Sequence, residues 1–350
     1  MTGTRASMLD ALEFSPARPT KTYVVESHVG DPVGCLSELA LGQVEPLADA
    51  FLFRVDTSAG VLWVDQLDPR FWRLHTDSGH STVFPLLREW VGSRADLDWM
   101  WLPSEHLRRV WPGAVSPRVR TDFRGGSLVG AGAIARDVRL QLQGADAERL
   151  LSLIANIPEY HAALSFEGVQ TEVSDPHFGS IREAVNRMGR FAASGDSPEL
   201  HLQFVNTVTD RYKRLVELCE ARAIRWRSFE GSDGGGTLSG SPIVIVFSRE
   251  VEDLGGFADE LTSSREPFRL WGVASVSRGV AEIEAVDLHI GQPLQIDVGS
   301  RWMRIYLQEG TCGNTVARLI SNLQHRFDGA LTVKDPDLDD ATRRPVGVGR

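Results

Sequence analysis

With 350 residues, 42% of them hydrophobic and 24% charged, the chain has the make-up of a globular protein large enough for two or three cores. A net charge of −10 argues against broad, sequence-independent DNA binding, whose affinity comes from neutralised phosphates, and leaves room only for a local basic patch. Cys35, Cys219 and Cys312 are widely spaced with no CxxC pair, which points to free thiols in a reducing cytosol and away from a disulfide framework or a structural zinc site.

No segment reaches the roughly 18 consecutive apolar residues of a membrane span, and residues 1–20 lack the apolar core of a signal peptide, so a cytoplasmic protein is expected. Residues 1–20 and 331–350 read as disordered ends. Between them, turn-rich stretches divide the chain into a small α+β unit over 21–120, an α/β sandwich unit over 135–230 and a C-terminal α/β sandwich unit over 241–330.

In the first unit, Phe51–Val55 and Val61–Val64 flank a polar turn as a hairpin, followed by a helix over Val83–Val91. Ser104 caps a short helix carrying Leu107, Val110 and Trp111. In the middle unit the patterns predict a strand at 138–142, a helix from Asp146, a hairpin across Gly168 and a helix over Ser180–Phe191. A strand at 200–205, a helix from Thr209 and an edge strand at 224–227 complete it. The Gly/Ser run at 231–240 reads as a linker.

The last unit opens with the apolar run 242–247, of the kind buried on both faces. A helix at 251–261 and strands at 268–276, 281–290, 294–298 and 301–307 follow, the second with a register slip that predicts a bulge near Ala285. Its final helix puts Val316, Leu319, Ile320, Leu323 and Phe327 on one stripe. The expected fold class is α+β, with mixed or antiparallel sheets and helices packed on one face. The shared strand–helix–strand opening of the last two units suggests two ferredoxin-like units after the small N-terminal one.

Four stretches bear on function. Thr311, Cys312, Gly313, Asn314 and Thr315 form a small-residue turn between a strand and a helix, where free backbone N–H groups favour an anion, with Arg304 as its cationic partner. The competing reading is a plain helix cap, since no Walker pattern is present. Cys312 at a helix start has the position of an activated thiol but no base nearby in sequence, His325 lying more than three turns along the same helix and His289 in the sheet. Trp271, Trp302 and Tyr306, with neighbouring arginines, form a stacking face if their sheet face is open. His75–His80 reads as a polar surface loop.

No metal spacing, catalytic triad or cofactor fingerprint is legible. The expectation is a binding, scaffold or regulatory protein with a protein partner or a small anionic ligand. An enzyme or sensor for a phosphorylated small molecule or nucleotide at 310–315 is the alternative, and nucleic-acid recognition by the Trp/Arg face is the third.

Overall fold

The computed structural model describes residues 4–12, 19–110, 118–130, 136–228 and 236–343. After a short helix α1 (Arg5–Ala11) comes β1 (Thr20–Ser27), rich in Thr, Tyr and Val, the residues that suit a pleated surface. β1 is buried at all eight positions because both of its faces are covered. Helix α2 (Pro32–Ser37) leads to β2 (Glu45–Pro46), β3 (Leu52–Thr57), β4 (Gly60–Asp65) and β5 (Phe71–Thr76). The β3–β4 turn has the expected place, held by Thr57 Oγ1, which donates to the Gly60 carbonyl, and by the left-handed φ of Gly60. Helix α3 (His80–Ser93), β6 (Leu97–Trp99) and α4 (Ser104–Arg108) close this part of the chain, with Trp111 outside the described residues.

Next come β7 (Arg118–Arg124), β8 (Asp137–Gln143), helices α5 (Ala147–Ala155) and α6 (Pro158–His161), and β9 (Phe166–Asp175). β10 (Gly179–Asn186), β11 (Arg190–Gly195) and the long α7 (Pro198–Ala221) follow. Three expectations fail here. The helix over Ser180–Phe191 is the β10–β11 hairpin, the strand at 200–205 is the first part of α7, and the Gly168 hairpin is a continuous β9 whose partner turns at 176–178. Apolar residues at 181, 184, 185 and 188 imitate a helical stripe, whereas the true inward set is Ile181, Glu183 and Val185, with a glutamate in the middle. Helix α7 starts early because Ser197 accepts a hydrogen bond from the Leu200 N–H, Pro198 occupies the first turn and Glu199 faces the positive helix end.

The remainder comprises β12 (Arg225–Ser228), β13 (Gly236–Ser239), β14 (Ile243–Val246), α8 (Leu254–Leu261), β15 (Leu270–Ser277) and β16 (Val280–Asp287). β17 (Pro293–Gly299), β18 (Trp302–Leu307), α9 (Asn314–Arg326), β19 (Thr332–Val333) and α10 (Pro336–Arg343) complete it. Part of the expected linker is therefore strand β13, paired to β12, while 229–235 lies outside the described residues. The C-terminal stretch likewise carries α10, tied down by ion pairs from Arg222 to Asp335 and Asp337.

The fold is α+β and its sheet ladders are antiparallel. Eleven strands form one large sheet in the order β2-β3-β4-β5-β1-β11-β10-β9-β7-β8, with β6 also on β1, so the stretches read as a first and a middle unit share a single sheet. A second sheet runs β15-β16-β17-β18-β14-β19. In the large sheet β7 pairs with β9, the first strand of a meander, whereas in the small one β14 pairs with β18, the last of its meander. A similar element order thus builds two different sheet orders rather than one repeated unit.

Helix α9 lies between the two sheets and is buried from Asn314 to His325 on every side. Its apolar stripe joins the inner face of the small sheet, including Met303 and Ile305, in one core with the large sheet. The expected bulge near Ala285 is absent: Ala281, Ile283, Ala285 and Asp287 alternate inward without a break, and the strand, expected to reach 290, ends at Asp287 in a turn that carries the buried His289. Among the described residues no helix is long and apolar enough to cross a membrane. Since Leu323 is fully buried in this core, Leu323→Ala is expected to cost about 2–5 kcal/mol in urea unfolding, and a loss under about 0.5 kcal/mol would place that helix face at the surface instead.

Candidate metal centre

The opposite flank of α9 is polar, and its groups find partners in both sheets. Arg318, with no exposed surface, donates from Nη1 to Asp98 on β6, from Nη2 to Asp287 at the end of β16, and from Nε to the Phe268 carbonyl at 3.0 Å. Asp98 also accepts from Trp101 Nε1 at 3.0 Å and Asn314 Nδ2 at 3.1 Å, and Asp287 accepts from the Thr315 hydroxyl. Burial by itself would raise the Asp98 pKa, but Arg318 and the other cations and donors around it outweigh burial and hold it below the ordinary carboxylate value.

A second cluster sits one step along the same junction. Glu26, at the inward-facing end of β1, has no exposed surface, and His28 follows it in the loop. His289 comes from the turn after β16, where its N–H bonds Asp287 Oδ1 at 3.1 Å and the next residue's N–H bonds the Ala95 carbonyl at 2.9 Å. Cys312 comes from the turn before α9. One ligand atom from each of these four side chains lies within 4.8 Å of all the others. Cys312 Sγ is 3.3 and 3.2 Å from the two Glu26 oxygens, and His289 Nε2 is 3.4 Å from Glu26 Oε2. His289 is fully buried, its Nδ1 has no hydrogen-bond partner, and its Nε2 has only the long contact with Glu26. His28 keeps a third of its side chain in solvent and meets His289 edge to face at 5.2 Å.

Arg70 and Glu220 back this cluster. Arg70 Nε donates to Glu26 at 2.7 Å, one Nη donates to Glu220 at 2.5 Å, and the same nitrogen lies 3.4 Å from Cys312 Sγ. Burial would raise the Glu26 pKa, but His289, Arg70 and His28 together keep it low. Burial chiefly, and then the Glu26 charge, push the Cys312 thiol well above its ordinary value. Burial chiefly pulls His28 down. The cluster therefore presents an anionic carboxylate, a neutral His28 imidazole and a protonated thiol.

The residues read from the sequence fall as follows. Thr311, Cys312, Asn314 and Thr315 are buried, and the Gly313 N–H already donates to Glu220 Oε1 at 2.9 Å. A Cβ on Gly313 would meet the Val216 carbonyl at 2.2 Å, so the glycine serves the close approach of α7. Arg304 is on the far side of the small sheet, stacked over Trp302 at 4.6 Å. Trp271, Trp302 and Tyr306 do share that outer face, and Trp271 is 58% exposed, but Glu282, Glu284 and Asp297 lie among them. That face is electrostatically opposed to a phosphate backbone. Arg269, expected beside Trp271, is instead buried, 3.5 Å from Asp98.

The His75–His80 stretch is not a surface loop at its first residue. His75 is fully buried on Thr22, whose hydroxyl lies 2.8 Å from His75 Nδ1 and 2.7 Å from His201 Nε2, and His201 Nδ1 lies 2.7 Å from Glu183. This Thr–His–Glu relay is sealed between β1 and α7. His80 stands apart, between Tyr23, Phe84 and Arg190. Glu26, His28, Arg70, Glu220 and the cluster as a whole were missed by sequence reasoning, because their separations follow no ligand motif. The signals present were a glutamate inside a strand of otherwise buried character and the inward register of Asp287 and His289.

The Asp98–Arg318–Asp287 bridge yields a pH dependence. Because the folded pKa of Asp98 lies below the ordinary value near 3.9, its contribution is complete above that pH and is lost as pH falls through the lowered folded value. Asp98→Asn is expected to cost about 3–5 kcal/mol at neutral pH and to flatten the acid limb of stability, measured by urea midpoints across pH 7 to about 2.

The family model described as MJECL33-like protein matches residues 1–342. A curated relative from Methanocaldococcus jannaschii, named Uncharacterized protein MJECL33, is 26% identical over 368 residues, spanning 92% of this chain and 88% of its own. No solved structure matches the chain significantly. With nearly its whole length matched to the family model, the chain belongs to the MJECL33-like protein family.

Proposed function

We propose that this is a metal-binding protein whose centre is Glu26, His28, His289 and Cys312, and that the ion is a zinc-class divalent metal. The observation that carries this reading is His289, fully buried, with Nδ1 unpartnered and Nε2 facing only the Glu26 carboxylate at 3.4 Å, in a cluster with a thiol and a second imidazole. A buried imidazole nitrogen without a partner forfeits a hydrogen bond that water would supply, and a metal would replace it. A thiolate with imidazoles and a carboxylate is a borderline-soft donor set of the kind zinc selects.

Charge supports the same reading. Glu26 and Glu220 against Arg70 leave one uncompensated negative charge in the buried pocket. A dication with Cys312 as thiolate brings the total to zero. Arg70, within reach of both Sγ and Glu26, orients two of the ligands from behind. The ligands come from the large sheet, the small sheet and the start of α9, so an ion would tie all three together, and its occupancy would be coupled to their docking.

The test is metal content and cobalt substitution of the purified chain. Expected are about one equivalent of zinc or cobalt, a thiolate-to-cobalt charge-transfer band, and a stabilisation near 2.7 kcal/mol at a hundredfold excess over the dissociation constant. Cys312→Ala should abolish the charge-transfer band, and His289→Ala should weaken binding. Absence of both binding and thermal stabilisation with millimolar cobalt would overturn the assignment.

A further inference from the structure

The geometry points to a second binding site, a groove for a phosphoryl group on the open face of the large sheet. Residues of β7 to β11 alternate, with Val119, Thr121, Val169, Thr171, Glu183 and Val185 turned toward the helices. The other face carries Arg118, Arg120, Gln170 and Arg190 around a floor of Gly168, Ala184 and Ala192, and encloses about 150 Å³. The register sets them in rows across the sheet, Arg118 beside Gln170 beside Ala184 beside Ala192, and Arg120 beside Gly168. At Arg120 the β7–β9 pairing shifts by one residue, a bulge of the kind that re-aims a side chain.

In an acidic chain these three guanidinium groups are poorly neutralised. Among the described residues, neither Arg118 nor Arg190 pairs with a carboxylate. Arg118 donates to Gln143 at 3.1 Å, and Arg190 donates to His80 Nε2 at 2.5 Å. Burial, followed by Arg190, lowers the His80 pKa to about 4, so the imidazole is neutral and leaves the Arg190 charge uncancelled. Arg120 reaches Glu167 only at 3.5 Å, and that carboxylate is closer to Arg187, at 2.9 Å. The Nε groups of Arg118 and Arg120 are buried atoms without a partner. Arginines lining one groove with spare N–H groups match the oxygens of a phosphate in paired hydrogen bonds, and the small-residue floor leaves room for one such group but not for a whole nucleotide.

The ligand is therefore inorganic phosphate or the phosphomonoester end of a larger molecule that projects from the groove. The test is calorimetric titration of the full chain, at low salt, with inorganic phosphate, AMP and adenosine. Expected is binding of phosphate and AMP, weakened at least about tenfold in Arg118→Gln/Arg190→Gln and unchanged in Arg301→Gln on the small sheet. Tighter binding of AMP than of phosphate identifies an ester ligand, and equal or weaker binding identifies the free oxyanion. Circular dichroism checks that the double variant is folded, and Arg118→Gln alone carries the comparison if it is not. Dissociation constants above about 10 mM for both phosphates, equal affinity in the arginine variant, or adenosine binding as well as AMP would each overturn the site.

Discussion

The buried guanidinium of Arg318 organises the contact between the two sheets, with Arg269 beside it on Asp98. It projects from a helix buried from Asn314 to His325 and spends its donors on a carboxylate from each sheet and on a backbone carbonyl. Removing two carboxylates and one cation from water is costly, and the cost is offset only when geometry and further hydrogen bonds are complete. Here Trp101, Asn314 and Thr315 complete them. The arrangement fixes where α9 sits between the sheets far more narrowly than apolar contact can, because a Leu stripe tolerates sliding and an Asp–Arg–Asp bridge does not.

That fixed docking creates the proposed metal centre. Asp287 holds Arg318 with its side chain and, through the same carboxylate, accepts the N–H of His289. Helix α9 carries Arg318 little more than a turn and a half from Cys312 at its entry. Hence the bridge and the four-residue cluster are not independent: the elements that align one deliver the ligands of the other. Glu26 completes the set from β1, whose burial on both faces removes water from around its carboxylate. The open groove of arginines lies on the opposite face of the same sheet, over β7 and β9 to β11, away from the dry, mixed-ligand junction at β1.

The α+β class, the β3–β4 hairpin, the small-sheet strands and the apolar stripe of α9 were legible in the sequence, because each is a local periodicity of apolar residues bounded by turn chemistry. What the periodicity could not carry was a polar residue at an inward position. Glu183 disguised strand β10 as a helix, and the inward Asp287, with the turn that follows it, made an unbroken strand look bulged. In both cases the side chain belongs inside because a partner from a distant part of the chain meets it there. Local sequence therefore determined which segments form strands and helices and which faces are apolar. Only the tertiary structure decided that residues 26, 28, 289 and 312 meet, since that depends on a junction of two sheets whose ligands are separated by more than two hundred and fifty residues of chain and are brought within 4.8 Å by hydrogen bonds no single segment encodes.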